Sequence, residues 1–159
     1  MKKKTLFIVI AGILLGTGIT GVAGMLLMPS QMLITHECAM GYEETIEAVQ
    51  KRIREAGWVV SGVTDMNQSL AKQGTEFEPK VTLIKLCKPD YAESVLTTDR
   101  YVSVMMPCSF SVWQDDQGKT YLTRMNTGLM GSLFGGNVAN VMGGSVARDE
   151  EKMLEGLIR

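Results

Sequence analysis

Residues 6–28 form an unbroken apolar run with no charged side chain, led by Lys2, Lys3 and Lys4. At ~1.5 Å per helical residue the run reaches ~34 Å, enough to cross a hydrocarbon core of ~30 Å. The pattern predicts one membrane-spanning anchor over residues 1–30, with the lysines holding its N-terminus in the cytoplasm. A cleavable signal peptide is the rival reading, because Gly21, Val22 and Ala23 offer small residues at peptidase spacing. Yet the run continues to Met28 and exceeds the usual signal-peptide core of roughly 7–15 residues. Either reading delivers residues 31–159 outside the cytoplasmic membrane, to the periplasm or the cell exterior. Gly16, Gly18, Gly21 and Gly24 add small-xxx-small pairs suited to a neighbouring membrane helix.

Beyond the run the period shortens. Residues 32–37 read as a first strand. Residues 43–56 read as a helix, with Ile46, Val49, Ile53 and Ala56 on one face and Gly57 as its stop. Residues 58–63 predict a second strand, weakened by Gly62, and 65–78 a polar loop with a helical turn. Residues 81–87 predict a third strand, after which Pro89 opens a short helix through Leu96. The longest alternation spans 101–113, where Val102, Val104, Met106, Cys108, Phe110 and Val112 interleave with Ser103, Ser109 and Ser111. That predicts one long strand, a turn at 115–118 and a returning strand at 120–125. From Gly128 the chain predicts a broken, glycine-rich helix lying close on the sheet. Ser145 is expected to cap a last helix with apolar face Val146, Met153, Leu154, Leu157 and Ile158. The fold class is α+β: a small, mainly antiparallel sheet covered by helices, one domain over 31–159, preceded by one transmembrane helix.

Net charge is −1 at pH 7, so the chain has no basic footprint for nucleic acid. The glycine-rich stretch 128–144 lacks the lysine and hydroxyl of a phosphate loop, which excludes a nucleotide site at motif level. Methionine is abundant, 12 in 159 residues, and most of it reads as adaptable packing.

The stretches Leu86-Cys87-Lys88-Pro89, 105–112 (Met-Met-Pro-Cys-Ser-Phe-Ser-Val), 116–121 (Asp-Gln-Gly-Lys-Thr-Tyr) and Arg124-Met125-Asn126 resemble one family. It is the domain of unknown function 302 family, in a branch that carries both cysteines. The likeness runs from about Cys38 to Ile158, and the helix followed by Gly57-Trp58 fits it. The resemblance implies a small α+β domain, commonly dimeric, in bacteria or archaea. It implies no agreed activity and no catalytic residues.

Three cysteines in an oxidising compartment raise two readings. The first is a Cys87–Cys108 disulfide, expected if strands 81–87 and 101–108 run parallel and end at one level, with Pro107 marking a bulge that adjusts facing. The second is a soft-ligand site. His36, Cys38 and Met40 recur at i, i+2, i+4, and imidazole, thiolate and thioether suit copper or haem iron. Cys87, Cys108, Met105 and Met106 are candidates to complete it. No CxxC, CxxCH or HxxxH motif is present, which excludes covalent c-type haem and ordinary zinc ribbons at motif level. A hydrolase or transferase has no positive feature behind it, and a thiol-redox enzyme lacks its usual motif. Leu129, Met130, Leu133 and Phe134 are the candidate partner-binding residues. The sequence thus predicts a membrane-anchored binding or redox-accessory protein holding a metal or haem near Cys87 and Cys108. The alternative is a structural or assembly subunit of a membrane complex, homodimeric or bound to a membrane partner, with a Cys87–Cys108 disulfide.

Overall fold

The computed structural model describes residues 2–159; within its first helix several side chains, Leu6, Phe7 and Met28 among them, lie outside the description. The chain divides into two units, Met1–Met32 and Leu33–Arg159. The first holds one continuous 31-residue helix, α1, Lys2–Met32. The predicted span rests partly on side chains that lie outside the described residues. Among the described residues, no helix is both long and apolar enough to cross a membrane.

The second unit is α+β. Its strands are β1 Leu33–Glu37, β2 Val59–Asp65, β3 Val81–Cys87, β4 Cys108–Gln114 and β5 Thr120–Met125. They form one sheet of order β1-β5-β4-β3-β2, antiparallel at every pairing. The inward positions follow the period of two: Ile84 and Leu86 on β3, Phe110 and Val112 on β4 and Leu122 on β5 are fully buried. Helix α2, Tyr42–Glu55, packs on that face through Ile46, Val49 and Ile53. Gly57, at φ 75°, ends it and turns the chain into β2. Gly62 marks a register shift between Val60 and Gly62, so the glycine that weakened the strand reading is a bulge. Helix α3, Met66–Ala71, is capped by Asp65, whose carboxylate accepts from the Gln68 N–H. Residues 37–39 are completed by the chain's end, where Cys38 bridges Ile158 and the Arg159 N–H donates to the Glu37 carbonyl.

Three expectations are corrected. Residues 101–105 are not strand: a 3₁₀ helix, Arg100–Met105, follows α4, Pro89–Thr98. Val102 is buried there in a small second core with Val95, Val138 and Met142, and Met105 packs against it. Burial at i and i+3 suits a three-residue turn, and it overrode the alternating pattern. As a result α4 and the 3₁₀ turn return the chain to the end of β3 it left. β3 and β4 therefore run antiparallel rather than parallel, with Leu86 opposite Cys108 and Pro107 just ahead of the strand. Ser145 does not cap a helix. It lies within a π-helical stretch, Ala139–Val146, that runs directly into α7, Ala147–Leu154; Leu157 and Ile158 follow beyond the helix end.

The glycine-rich segment is broken as expected. Helix α5, Thr127–Phe134, stops at Gly135 (φ 71°), and a single turn, α6, Gly136–Val138, leads into the π-helical stretch. The close approach its glycines permit is helix on helix: α5 meets the π-helical stretch at Gly131 and Gly143.

Candidate soft-ligand site at the sheet end

Cys87 is the last residue of β3 and Cys108 the first of β4. Because Leu86 pairs with Cys108, Cys87 is one residue along from its cross-strand partner. By strand parity Cys108 shares the inward face of Phe110, while Cys87 starts outward. The chain leaves the sheet at Cys87 for Pro89 and α4, so parity no longer fixes that side chain. Both cysteines line one cavity of about 30 Å³, together with Met106, Met142, Trp58 and Tyr91. All three cysteines are free thiols in this structure.

The other predicted ligands lie elsewhere. His36 on β1 pairs with Leu122, Leu122 with Val112, and Val112 with Thr82. That row crosses β3 five residues before Cys87. At ~3.4 Å per residue and ~4.8 Å per strand, His36 is on the order of 20 Å from the cysteine pair. His36 lines a different surface hollow with Ile34, Glu151 and Ile158. Cys38 is buried in the main core, and Met40 packs against that core. The structure thus brings Cys87, Cys108 and Met106 together and separates them from His36, Cys38 and Met40. Among the described residues, no group of three His, Cys, Asp or Glu side chains is arranged to hold a metal; the cavity's further donors are thioethers.

Burial is the main force on the Cys108 thiol, assisted by the nearby Glu150 carboxyl and Cys87 sulfur, and it pushes the pKa from 9.0 up to about 12. Burial also raises the Cys38 thiol, outweighing its hydrogen bond with Thr45. So high a pKa leaves little Cys108 thiolate at neutral pH, so it is a poor nucleophile but a competent ligand once a cation displaces its proton. In the folded, metal-free protein, Cys108 is therefore expected to alkylate far more slowly than half-exposed Cys87. Mass-resolved iodoacetamide labelling at pH 8 checks this, and labelling of Cys108 first would contradict the burial argument.

A polar cluster that sequence reasoning missed stands at the cavity's edge. One oxygen of Asp149 accepts from Trp58 Nε1 (3.1 Å), Lys88 Nζ (3.2 Å) and the Tyr91 hydroxyl (3.2 Å). Trp58 and Tyr91 meet edge to face, and the Lys88 ammonium sits 4.4 Å from the Tyr91 ring centre. Burial alone would raise the Asp149 carboxyl, but these three donors hold it below its ordinary value. Nothing in the spacing of Trp58, Lys88 and Asp149 announces the cluster.

The second missed feature is a buried ion pair. Arg124 Nη1 donates to Glu150 Oε2 at 3.0 Å, and the Thr127 hydroxyl donates to the same oxygen at 3.0 Å. The side chains are 7% and 2% exposed. Burial raises the Glu150 carboxyl from 4.5 to about 7, against the opposing pull of Arg124 and Thr127. A signal did exist: Glu150 falls in the stripe Val146, Glu150, Met153, Leu154, and Arg124 takes an inward position after Thr120 and Leu122.

Of the predicted partner residues, Leu133 and Phe134 are exposed, and Leu129 and Met130 are half-buried. Exposed Tyr101 lies beside Phe134, with ring centres 6.2 Å apart.

One antiparallel sheet, helices on one face and two thiols with two thioethers at its end define a small α+β domain with a soft-donor cavity. The chain belongs to the family described as Domain of unknown function DUF302, which matches residues 34–158. It is similar to the crystal structure of an uncharacterized conserved protein DUF302 from Bacillus stearothermophilus, with a TM-score of 0.68. The two chains are 19% identical, and the match covers 78% of this chain and 96% of that one, a likeness of fold alone. No curated protein is matched by this chain.

Proposed function

We propose that this protein is a membrane-anchored, extracytoplasmic accessory protein that holds a soft metal ion, copper(I), between Cys87 and Cys108. The observation that carries the reading is the cavity of about 30 Å³ lined by two thiols and the thioethers of Met106 and Met142. Thiolate and thioether donors select copper(I) over harder ions. The volume suits an ion and is far below the several hundred Å³ that a macrocycle such as haem occupies. Lys88, at the cavity wall, is paired with Asp149. The N-terminal helix is the anchor in this reading. Exposed Leu133 and Phe134 are the contact to a second copy or a membrane partner.

The test is copper(I) titration of the full-length chain, purified in detergent under reducing, anaerobic conditions, against a chromophoric chelator. One copper per chain is expected. Cys87→Ser and Cys108→Ser should each weaken binding by about a hundredfold or more, with the fold retained by circular dichroism. Absence of copper binding by the reduced protein overturns the proposal. The cavity that Cys87 and Cys108 share supports one second reading, the disulfide-held assembly subunit. A chain isolated without reductant that is two hydrogens lighter than its sequence, and that binds no copper after reduction, would select it.

A further inference from the structure

The two edges of the sheet are closed differently. β2 carries the bulge between Val60 and Gly62, and a bulge turns an edge away from further pairing. β1 keeps one register with β5 throughout and has no bulge, proline or lysine. Its rim is half closed by the chain itself. The Arg159 N–H donates to the Glu37 carbonyl at 2.9 Å and the Ala39 N–H to the Leu157 carbonyl at 3.0 Å, with Cys38 bridging Ile158 antiparallel. The Cys38 N–H points the other way, to the Thr120 carbonyl on β5. Backbone direction alternates along a strand, so Ile34 and His36 bond to β5 while Thr35 turns its N–H and C=O outward. Thr35 is exposed, and no described strand pairs with β1 on that side.

A hollow of about 510 Å³ flanks this open stretch on the inward side of β1. Ile34, Leu154 and Ile158 give it apolar walls, and Glu151 and Glu155 bring carboxylates. Its lining cations are Lys152 and Arg124, and Arg124 is held by Glu150, so acid outweighs base at the rim. In a strand added beside β1, the residue opposite Ile34 sends its side chain to Ile34's face, into this hollow. Backbone bonds would supply the affinity and the hollow the selectivity. We propose that β1 receives an extended segment of a partner protein, which bonds Thr35 through its backbone and lays a lysine in the hollow. The lysine stem lies on Ile34, Leu154 and Ile158, and its ammonium reaches Glu151 and Glu155. A second copy of this chain does not supply the strand. Antiparallel pairing of two β1 strands about Thr35 sets Leu33 of one copy opposite Glu37 of the other, where Arg159 already sits. The proposal uses neither thiol of the copper site.

The probe is the peptide acetyl-Thr-Val-Lys-Val-Thr-amide. One twin is N-methylated at both valines, and another has glutamate in place of lysine. Each is titrated into full-length protein in detergent and followed by amide-resolved NMR, with hydrogen exchange read at the Thr35 N–H. The lysine peptide is expected to protect that N–H and to bind about tenfold more tightly than its N-methylated twin, the scale of one or two lost hydrogen bonds. Thr35→Pro removes the outward N–H and keeps the ladder to β5, because an edge strand accommodates proline where its nitrogen faces outward. It should retain the parent's fold and lose most of the preference for the unmethylated peptide. Glu151→Lys/Glu155→Lys, both exposed positions, should shift the preference from the lysine to the glutamate peptide. No binding at millimolar concentration, equal binding of the methylated twin, or a lysine preference that survives the charge reversal would each overturn the assignment. Protection of the Thr35 N–H by raised protein concentration alone would overturn it in favour of a second copy.

Discussion

Glu150→Ala is expected to destabilise the protein by about 3–5 kcal/mol at pH 8, because it removes both the carboxylate and the oxygen to which Arg124 and Thr127 donate, leaving these buried donors with no acceptor. The pair is nearly closed to solvent, 7% and 2% exposed, so water does not rescue the lone cation. Urea unfolding of parent and variant at pH 8 measures the loss, and a loss below about 1 kcal/mol would mean that Arg124 reaches solvent. The same carboxyl sets a pH dependence. Its folded pKa of about 7 stands above the ordinary 4.5, so the folded state binds the proton more tightly than the unfolded chain. The stabilisation is therefore complete below about pH 4.5 and is lost as pH rises through 7. Depressed Asp149 acts with the opposite sign, its contribution present at neutral pH and lost in acid, so the window between pH 5 and 8 isolates Glu150. Melting temperature across that window should fall in the metal-free parent and stay flat in Glu150→Gln.

Gly131→Ala is the second large effect. A Cβ there would lie only 2.8 Å from the Gly143 Cα, and closer still to its nitrogen, so the atoms it meets are backbone that cannot rotate away. Helix α5 would have to back off the π-helical stretch, which carries Met142 into the second core beside Val95 and Val102. Overpacking of this kind costs about 1–3 kcal/mol, and a backbone-on-backbone clash belongs at the upper end. Gly128→Ala is the matched control. Its Cβ meets nothing nearer than Asn126 Oδ1 at 3.5 Å, and alanine gains up to about 1 kcal/mol of helix propensity. Denaturant midpoints should therefore move in opposite directions for two glycines three residues apart; a shared direction would mean that helix propensity, not the crossing, governs this segment.

Much of the domain was legible in the residue pattern because burial there follows one period. Ile46, Val49 and Ile53 at helical spacing gave α2, and β3 and β5 were read to their end residues, 81–87 and 120–125. The reading failed where burial came from something other than the sheet. Val102 alternates with Val104 and Met106 like a strand residue but is buried beside Met105, three residues on, in the second core under α4, so a local pattern compatible with two structures was decided by a distant partner. The candidate site was half legible. Cys87, Cys108 and Met106 do converge. His36, Cys38 and Met40 were joined to them only by residue type, and type carries no distance.

By itself the sequence determined the apolar run over residues 6–28, the strand and helix periods of residues 33–159 and the donor types for soft chemistry, because each is a property of neighbouring residues. The tertiary structure decided the antiparallel return that brings Cys108 to one cavity with Cys87, the separation of His36 from both, the Asp149 cluster and the burial of Arg124 with Glu150. Each of these depends on residues far apart in the chain being held within a few ångströms, and only the closed sheet with its helices supplies that proximity.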